Sequence, residues 1–340
     1  MEHEVKITPS ELAVDIQNLN VQFEVDDEIV RAVNGVDIKL KRGKVLGLVG
    51  ETGAGKTTTA LSSMRLVQCP PGVVTADKIE VDGIDMLAAS HRELEQIRGS
   101  AIAMIFQDPM TSLNPVFPVG EQIAESIRIH QGCSAVEAMK KAEEMLVTVG
   151  IPRERAYEYP HQFSGGMKQR AVIAIALSCN PKVLLADEPT TALDVTIQAQ
   201  VLDMMMRLKQ QYDMSMIFIT HDLGIIAEIC DEVAVMYAGK IIEQGTLEEV
   251  FNHTKHPYTE GLFNSLPDIE NREHKLKPIP GMMPDPTRLP KGCAFAPRCP
   301  YAKPECIDME QKEIFFSDTH KVLCCAYQDP SFHIERKEID

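Results

Sequence analysis

The chain is short of positive charge, contains no tryptophan and has no long apolar run. Its 340 residues include 50 acidic and 34 basic side chains, a formal net charge of −16. Because a chain this acidic is not drawn to a phosphate backbone, nucleic acid is not expected as a partner. No apolar segment approaches the roughly 18 residues of a membrane-spanning helix. If the protein works at a membrane, other chains must cross the lipid.

An export signal and a full set of disulfides are not expected either. Residues Met1–Glu4 lack the basic stretch and apolar core that mark a signal peptide. Nine cysteines, an odd number, cannot all pair within the chain. We therefore expect the reducing cytoplasm, where the thiols stay free or bind metal. Apolar residues make up 44% and charged residues 25%, which is ordinary for one or two globular domains.

A phosphate-binding loop is the most specific pattern in the chain. Residues 50–57 match G-x-x-x-x-G-K-[ST] between a predicted buried strand, Lys44–Val49, and a predicted helix start, Thr58–Leu61. Glycines let backbone N–H groups approach phosphate oxygens, and the helix N-terminus adds partial positive charge. Lys56 suits the β and γ phosphates, and the Thr57 hydroxyl suits Mg²⁺. The predicted nucleotide-binding residues here are Gly50, Glu51, Thr52, Gly53, Ala54, Gly55, Lys56, Thr57 and Thr58.

Polar side chains follow three further predicted buried strands. Gln107 follows one, Asp187 and Glu188 end the next, and His221 ends a third. In a parallel sheet such positions border the ligand crevice. Asp187 is placed to bind a metal ion, Glu188 to orient or deprotonate an attacking water, and His221 to hydrogen-bond a γ-phosphate. The alternative for Gln107, Asp187 and Glu188 is a solvated turn. The alternative for His221 is a structural role.

A second anion site is predicted at Ser164-Gly165-Gly166. Ser164 is a good N-cap, and the two glycines leave bare N–H groups at a helix start, although a simple capped helix fits as well. Asp194, before a predicted helix over 196–212, fits a plain cap. Phe23 either packs in the core or stacks on a purine.

The periodicity predicts an α/β fold with a phosphate-loop nucleotide-binding domain. Residues 12–49 are β-rich, and residues 119–149 have helical periodicity, which predicts a helical subdomain inserted at about 108–160. The chain after about 256 is rich in proline, which favours an irregular extension. Its prolines are Pro257, Pro267, Pro278, Pro280, Pro284, Pro286, Pro290, Pro297, Pro300, Pro304 and Pro330.

Five of the nine cysteines fall within residues 293–325. Zinc ribbons usually pair cysteines two to four residues apart, and this segment does not. Four thiolates also suit an iron–sulfur cluster. Zinc and scattered buried thiols remain the alternatives. The spacing is Cys293-x5-Cys299-x6-Cys306-x17-Cys324, with Cys325 adjacent.

Taken together, these motifs resemble the ATP-binding subunit of ATP-binding-cassette transporters over about residues 12–250. The resemblance implies that Lys56 and Thr57 bind the phosphates and Mg²⁺, with Lys56 also assisting hydrolysis. Gln107 and Asp187 would hold Mg²⁺ and water. Glu188 would be the general base.

The family also pairs two such domains head to tail, with ATP between the phosphate loop of one and the signature of the other. By resemblance, Ser164 and Gly166 contact the partner's ATP, Asp194 crosses the dimer interface and His221 senses the γ-phosphate. The signature over 163–167 reads Phe-Ser-Gly-Gly-Met where Leu-Ser-Gly-Gly-Gln is commoner. Its phosphate-contacting part is intact, so hydrolysis is expected to be retained.

Two shorter motifs, Gln107–Pro115 and His256–Thr259, look like the dipeptide, oligopeptide and nickel importer branch. This divides the chain into a nucleotide-binding domain, 1–255, and an importer-type extension, 256–340. Many members of the branch carry a [4Fe–4S] cluster in this extension. The implied ligands are Cys293, Cys299, Cys306 and either Cys324 or Cys325, and the match over His320–Cys324 favours Cys324.

The resemblance implies an ATPase that drives uptake of dipeptides or oligopeptides at the cytoplasmic face of the membrane. The expected partners are two membrane-spanning permease subunits, a second related ATPase or another copy of this chain, and indirectly an extracytoplasmic substrate-binding protein. Nickel chelates or sugars are alternative cargoes. A soluble cassette ATPase acting on nucleic acid or ribosomes, and a non-hydrolysing partner subunit, are the alternative functions.

Overall fold

The computed structural model of the protein describes residues 11–191, 193–265 and 278–334. The segment Met1–Glu4 and the proline at 267 therefore lie outside the described residues. The chain forms two compact units, each made from several stretches. Among the described residues, the first comprises 11–15, 38–45, 78–191 and 193–219, and the second comprises 16–37, 46–77, 220–265 and 278–334.

The strands and helices alternate along much of the described chain. The strands are β1 (Leu12–Val25), β2 (Glu28–Lys41), β3 (Val45–Val49), β4 (Gly72–Thr75), β5 (Lys78–Val81), β6 (Ile84–Asp85), β7 (Ile102–Ile105), β8 (Val183–Asp187), β9 (Ser215–Thr220), β10 (Glu232–Tyr237), β11 (Lys240–Thr246), β12 (Ile314–Phe315) and β13 (Lys321–Val322). The α-helices are α1 (Lys56–Ser63), α2 (His91–Ile97), α3 (Pro109–Ser112), α4 (Val119–Gln131), α5 (Ala135–Thr148), α6 (Gly165–Leu177), α7 (Val195–Gln211), α8 (Leu223–Ile229), α9 (Leu247–Asn252), α10 (Pro257–Asn264) and α11 (Glu305–Asp308).

In the first unit, β8 lies between β7 and β9 in a parallel arrangement. Ile102 is opposite Val183, and Val183 is opposite Ser215. Every residue of these three strands is buried, as expected for parallel strands covered on both faces. The carboxyl ends of β7 and β8 lead directly to Gln107 and to Asp187-Glu188.

Helices α4 and α5 pack against each other within the predicted helical region. Buried residues recur at helical spacing on both, from Val119 to Ile127 and from Ala138 to Leu146. A capping box between Ser134 and Glu137 starts α5.

In the second unit, β3 pairs in parallel with β10, and β10 forms an antiparallel hairpin with β11. The sheet continues into the C-terminal extension, since β13 pairs with β11 and β12 pairs with β13. The loop after β3 leads into α1. Residues 278–334 therefore belong to the same compact unit as the phosphate loop.

Two predicted details differ from the structure. The helix after the phosphate loop ends at Ser63 and not near residue 68, because Arg65 adopts a left-handed backbone with φ of +52°. The extension begins with a helix, α10, where an irregular chain was expected. Pro257 occupies its first turn, where a missing N–H costs nothing, and His256 Nδ1 caps Tyr258 N–H.

No helix in the described ranges combines the length and the apolar character that crossing a bilayer requires.

Candidate functional site

The phosphate loop is closed by its own lysine. Lys56 is buried, and its Nζ donates to the carbonyl oxygens of Gly50 at 2.7 Å and Glu51 at 3.0 Å. Gly55 has φ of +105°, and a Cβ there would lie 2.5 Å from the carbonyl oxygen of Ala32. A side chain at this position would therefore disrupt the turn into α1. Glycine at position 55 therefore has a direct steric reason.

The other loop residues differ in exposure. Thr52, Gly53 and Thr57 are exposed, whereas Ala54 is buried and Thr58 is half-buried. The loop thus presents a polar outer surface and the N-terminus of α1, a suitable place for an anion.

Phe23 lies half-buried on β1, opposite Gly72 of β4. A Cβ at Gly72 would come within 3.3 Å of the Phe23 ring, so the ring packs on this strand pair. Purine stacking by Phe23 stays a prediction.

The C-terminal extension contacts the phosphate loop through side chains that the sequence did not single out. The Glu51 N–H donates to the Tyr258 hydroxyl at 3.0 Å. Arg298 Nη1 donates to Glu51 Oε2 at 3.0 Å and to the Tyr237 hydroxyl at 3.2 Å. Burial alone would lower the pKa of Arg298, but the bonds to Glu51 and Tyr237 raise it overall. A carboxylate inside a phosphate-binding loop was the available signal that a basic partner must lie nearby.

Glu188 is held by two side chains in the first unit. Gln107 Nε2 donates to Glu188 Oε2 at 3.0 Å, and Thr191 Oγ1 donates to the same oxygen at 2.9 Å. The Glu188 N–H donates to the carbonyl oxygen of Ile219 on β9 at 2.9 Å. The structure thus brings together two of the predicted residues, Gln107 and Glu188.

Asp187 and His221 have different surroundings. Asp187 is the last residue of β8 and is 2% exposed. His221 is exposed and lies one residue before Asp222, which caps α8. Asp187 belongs to the first unit and His221 to the second.

The predicted signature forms the start of α6. Ser164 Oγ accepts the Met167 N–H at 3.3 Å, and Gly165 has open space where a Cβ would be. A Cβ on Gly166 would lie 2.7 Å from Ile197 Cγ2, so α6 approaches α7 closely here. Asp194 caps α7 by accepting the Ile197 N–H at 2.9 Å. The signature and Asp194 therefore border the same helix contact.

The five clustered cysteines line one small cavity of about 10 Å³ in the second unit. Cys306 and Cys325 have their sulfur atoms 3.1 Å apart. Apolar neighbours, including Pro257 and Phe295, complete the wall. The spacing of the cysteines along the chain did not show that Cys325 would join the other four. The lining cysteines are Cys293, Cys299, Cys306, Cys324 and Cys325.

Burial favours the protonated form of two of these thiols, Cys299 and Cys324. It raises the pKa of Cys299 to about 11 and that of Cys324 to about 12. Throughout the described residues, no group of three or more His, Cys, Asp or Glu side chains is arranged to hold a metal ion. The thiol donor set fits an iron–sulfur cluster chemically. The small cavity requires the sulfurs to move apart before a cluster can enter.

Glu243 anchors the last part of the chain in this unit. It is fully buried on β11, and its carboxylate accepts the N–H groups of Lys255 at 2.6 Å and His256 at 2.9 Å. His320 Nε2 lies 2.9 Å from the same carboxylate. The pattern of charges along the chain gave no indication that this acid would be buried.

Two family models match separate parts of the chain. The family model described as ABC transporter matches residues 33–191. The model described as oligopeptide/dipeptide transporter, C-terminal region, matches residues 242–306, which include three of the clustered cysteines.

Similar curated proteins extend over almost the whole chain. A putative peptide import ATP-binding protein of Brucella abortus is 47% identical over 329 residues, covering 93% of this chain and 97% of that protein. The oligopeptide transport ATP-binding protein OppD of Bacillus subtilis is 49% identical over 314 residues, covering 91% and 87%. The chain belongs to the ABC transporter ATP-binding proteins.

Solved ABC cassettes have the same fold. A dimeric cassette bound to ADP and phosphate after hydrolysis is 27% identical, with a TM-score of 0.62 over 69% of this chain and 98% of that one. A cassette from the cbiONQ transporter of Clostridium perfringens gives a TM-score of 0.61 at 27% identity, over 71% and 91%. The predicted α/β phosphate-loop fold, the family and the ATPase activity of this ABC protein are confirmed.

Proposed function

We propose that this ABC ATPase drives uptake of dipeptides or oligopeptides through two separate permease subunits at the cytoplasmic face of the membrane. The observation that carries the proposal is identity of 47% to a putative peptide import ATP-binding protein over 93% of the chain. The match of residues 242–306 to the oligopeptide/dipeptide transporter C-terminal region supports it independently of the cassette motifs. An extracytoplasmic binding protein would deliver the peptide to the permeases.

Nucleotide binding is assigned to the phosphate loop. In this proposal Lys56 leaves its carbonyl partners for the β and γ phosphates, and backbone N–H groups of residues 50–58 take the remaining phosphate oxygens. Phe23 stacks on the purine. Bound Mg²⁺ would neutralise charge between the phosphates, and Thr57, Gln107 and Asp187 are the residues to hold it.

Hydrolysis is assigned to Glu188. Its carboxylate is already oriented by Gln107 and Thr191, the arrangement expected of a base that positions an attacking water. His221 contacts the γ-phosphate and stabilises it. The closed dimer brings Ser164, Gly165, Gly166 and Asp194 of one cassette to the ATP of the other.

The dimer partner is a second, related ATPase or another copy of this chain. The solved dimeric cassette supports head-to-tail pairing. The helical region at about 108–160 passes the closing motion to the permeases, and the extension over 256–340 is specific to the importer branch.

The extension is proposed to hold a [4Fe–4S] cluster on Cys293, Cys299, Cys306 and Cys324. The support is that these four thiols, three of them buried and Cys299 half-buried, line one cavity. Since a bound cluster requires thiolates, loading would release protons from these thiols. Protein purified without air should contain about four irons per chain, and replacing the four cysteines by serine should remove them. A Cys325→Ser variant should keep its iron; iron lost there would assign Cys325 as the fourth ligand.

Affinity purification of the Glu188→Gln protein from its own cells, in ATP and mild detergent, tests the transport proposal. Two multi-span subunits and a second cassette ATPase should co-purify. Ribosomal proteins, or no membrane chain, would overturn it and leave an ATPase of another role. Wild-type protein in ADP is the matched control.

A further inference from the structure

Glu51 places a negative charge inside the loop assigned to bind a polyphosphate. Two like charges about 4 Å apart repel by roughly 4 kcal/mol at a partly buried site. The Glu51 side chain is 31% exposed, so water screens its charge incompletely. A fixed cation beside Glu51 would offset this repulsion.

Arg298 provides that cation, and the extension fixes its position. Its side chain is 7% exposed and lies 3.0 Å from Glu51. Arg298 Nε donates to the carbonyl oxygen of Pro280 at 2.8 Å, and Nη2 donates to that of Ile279 at 3.4 Å. The guanidinium is therefore held by its own segment and directed at the phosphate loop.

The same contact includes an aromatic cluster. Tyr237 and Tyr258 lie 4.6 Å apart between ring centroids, and Phe295 lies 5.3 and 5.4 Å from them. The Tyr258 hydroxyl accepts a hydrogen bond from the Glu51 N–H. Tyr258 therefore holds the backbone of Glu51, while Arg298 holds its carboxylate. Phe295 and Arg298 lie between Cys293 and Cys299, which connects the cysteine segment to the loop.

We propose that the C-terminal extension positions the phosphate loop for ATP, with Arg298 as the positioning residue that neutralises Glu51 and Tyr258 as its backbone support. Arg298 itself does not touch the nucleotide. This inference rests on the proposed nucleotide role of residues 50–58. It adds a function for the extension within the ATPase reaction.

The test compares Arg298→Met, Arg298→Lys and the double variant Glu51→Gln/Arg298→Met in the full-length protein, with ATPase activity measured on the associated pair of cassettes. Arg298→Met should raise KM and Kd for MgATP about tenfold, the effect of one charge-assisted bond. Its kcat should stay within about twofold, because Glu188 and its partners are untouched. Arg298→Lys should recover part of the affinity.

The double variant separates charge neutralisation from simple destabilisation. Removing the Glu51 charge removes the need for Arg298, so its KM should return to within about threefold of wild type. A double variant as weak as Arg298→Met, or Arg298→Met with unchanged KM, would overturn the inference. If Arg298→Met does not fold, the KM values of Arg298→Lys and of the double variant are each compared with that of wild type, and the same criteria apply.

Arg288→Met is the matched control, since Arg288 is an exposed arginine of the same extension. Its KM should equal that of wild type. Absence of MgATP binding by wild-type protein would instead refute the proposed nucleotide site, so the two failures are distinguishable.

Discussion

Glu188 combines a strained backbone with a well-held side chain. Its φ of +46° lies in the left-handed region, which costs a non-glycine residue of order 1–3 kcal/mol. The hydrogen bonds from Gln107 and Thr191 fix the carboxylate in that conformation. Strain maintained at a strand end is typical of a residue whose position matters for chemistry.

Replacing Glu188 by glutamine should stop turnover without stopping nucleotide binding. The amide keeps the size of the side chain but cannot accept a proton, so we expect kcat to fall at least about 100-fold. The Kd for ATP should stay near that of wild type. Single-turnover hydrolysis and equilibrium binding measure the two effects. Glu154→Gln, at an exposed carboxylate, is the control, and unchanged hydrolysis in Glu188→Gln would refute the base assignment.

Glu249 gives a residue-level prediction about pH. Burial raises its pKa, but bonds from Ser317, Thr246 and Thr319 outweigh this and lower the pKa to about 2 from 4.5. A lowered folded pKa stabilises the protein above pH 4.5, and this stability is lost as pH falls from 4.5 towards 2.

Glu249→Gln should therefore be less stable than wild type at pH 7, by about 1 kcal/mol after solvent screening. The difference should shrink as the pH is lowered through that window. Urea unfolding at several pH values measures it, with Glu310→Gln as an exposed control. A difference that stays constant with pH would contradict the assignment.

Functional residues could be predicted from the sequence where they are close together along the chain. The glycines and Lys56 follow one another in sequence, so their pattern predicts their geometry. Arg298 and Tyr258 lie 247 and 207 residues from Glu51, and no local pattern shows that they meet it. Glu51 was predicted only as part of the phosphate loop, so the sequence did not indicate its basic partner.

At the level of elements, β11 links the hairpin to the end of the chain. Glu243 on this strand receives two backbone N–H groups before α10 and the His320 ring beside β13. A single buried carboxylate thus fixes the start of one helix and one short strand.

Glu243→Ala should destabilise the second unit by about 3–5 kcal/mol, because it leaves buried donors without an acceptor. Thermal unfolding should show a lower Tm. Hydrogen exchange should increase over 255–258 and 320–322 before it increases in β7 and β8. Glu248→Ala, at an exposed neighbour, should leave Tm unchanged. Uniform loss of protection in both units would argue against this local role.

Strands were easier to predict from the sequence than helix ends. The apolar runs at β3, β7, β8 and β9 are short and continuous, so their burial follows from composition. The end of α1 is decided by the backbone of Arg65, and the capping of α10 by His256. Both depend on the conformation of a single residue, to which hydrophobic periodicity is insensitive.

At the level of the whole molecule, the signature and the phosphate loop are proposed to serve two different ATP molecules. The exposed Ser164 and Gly165 at the start of α6 are available to a second cassette. If the signature and the phosphate loop do serve different ATP molecules, one chain alone has an incomplete hydrolysis site, and activity should depend on association.

ATP should drive that association in the Glu188→Gln protein. Sedimentation of the co-purified ATPase pair, or of the chain alone if it pairs with itself, should show two-cassette complexes in ATP. Dissociation should follow in ADP. Adding Lys56→Ala should prevent the complex, because the phosphates lose their main cation. A complex equally stable in ADP would contradict nucleotide-driven closure.

The Glu51–Arg298 bond also has a consequence for protein synthesis. The two residues are 247 positions apart. At about 5–20 residues per second, a ribosome reaches Arg298 roughly 12–50 seconds after Glu51. During that interval the nascent phosphate loop carries an uncompensated carboxylate. A chain released between residues 221 and 298 therefore contains every cassette motif and still lacks Arg298, the residue proposed to neutralise the loop.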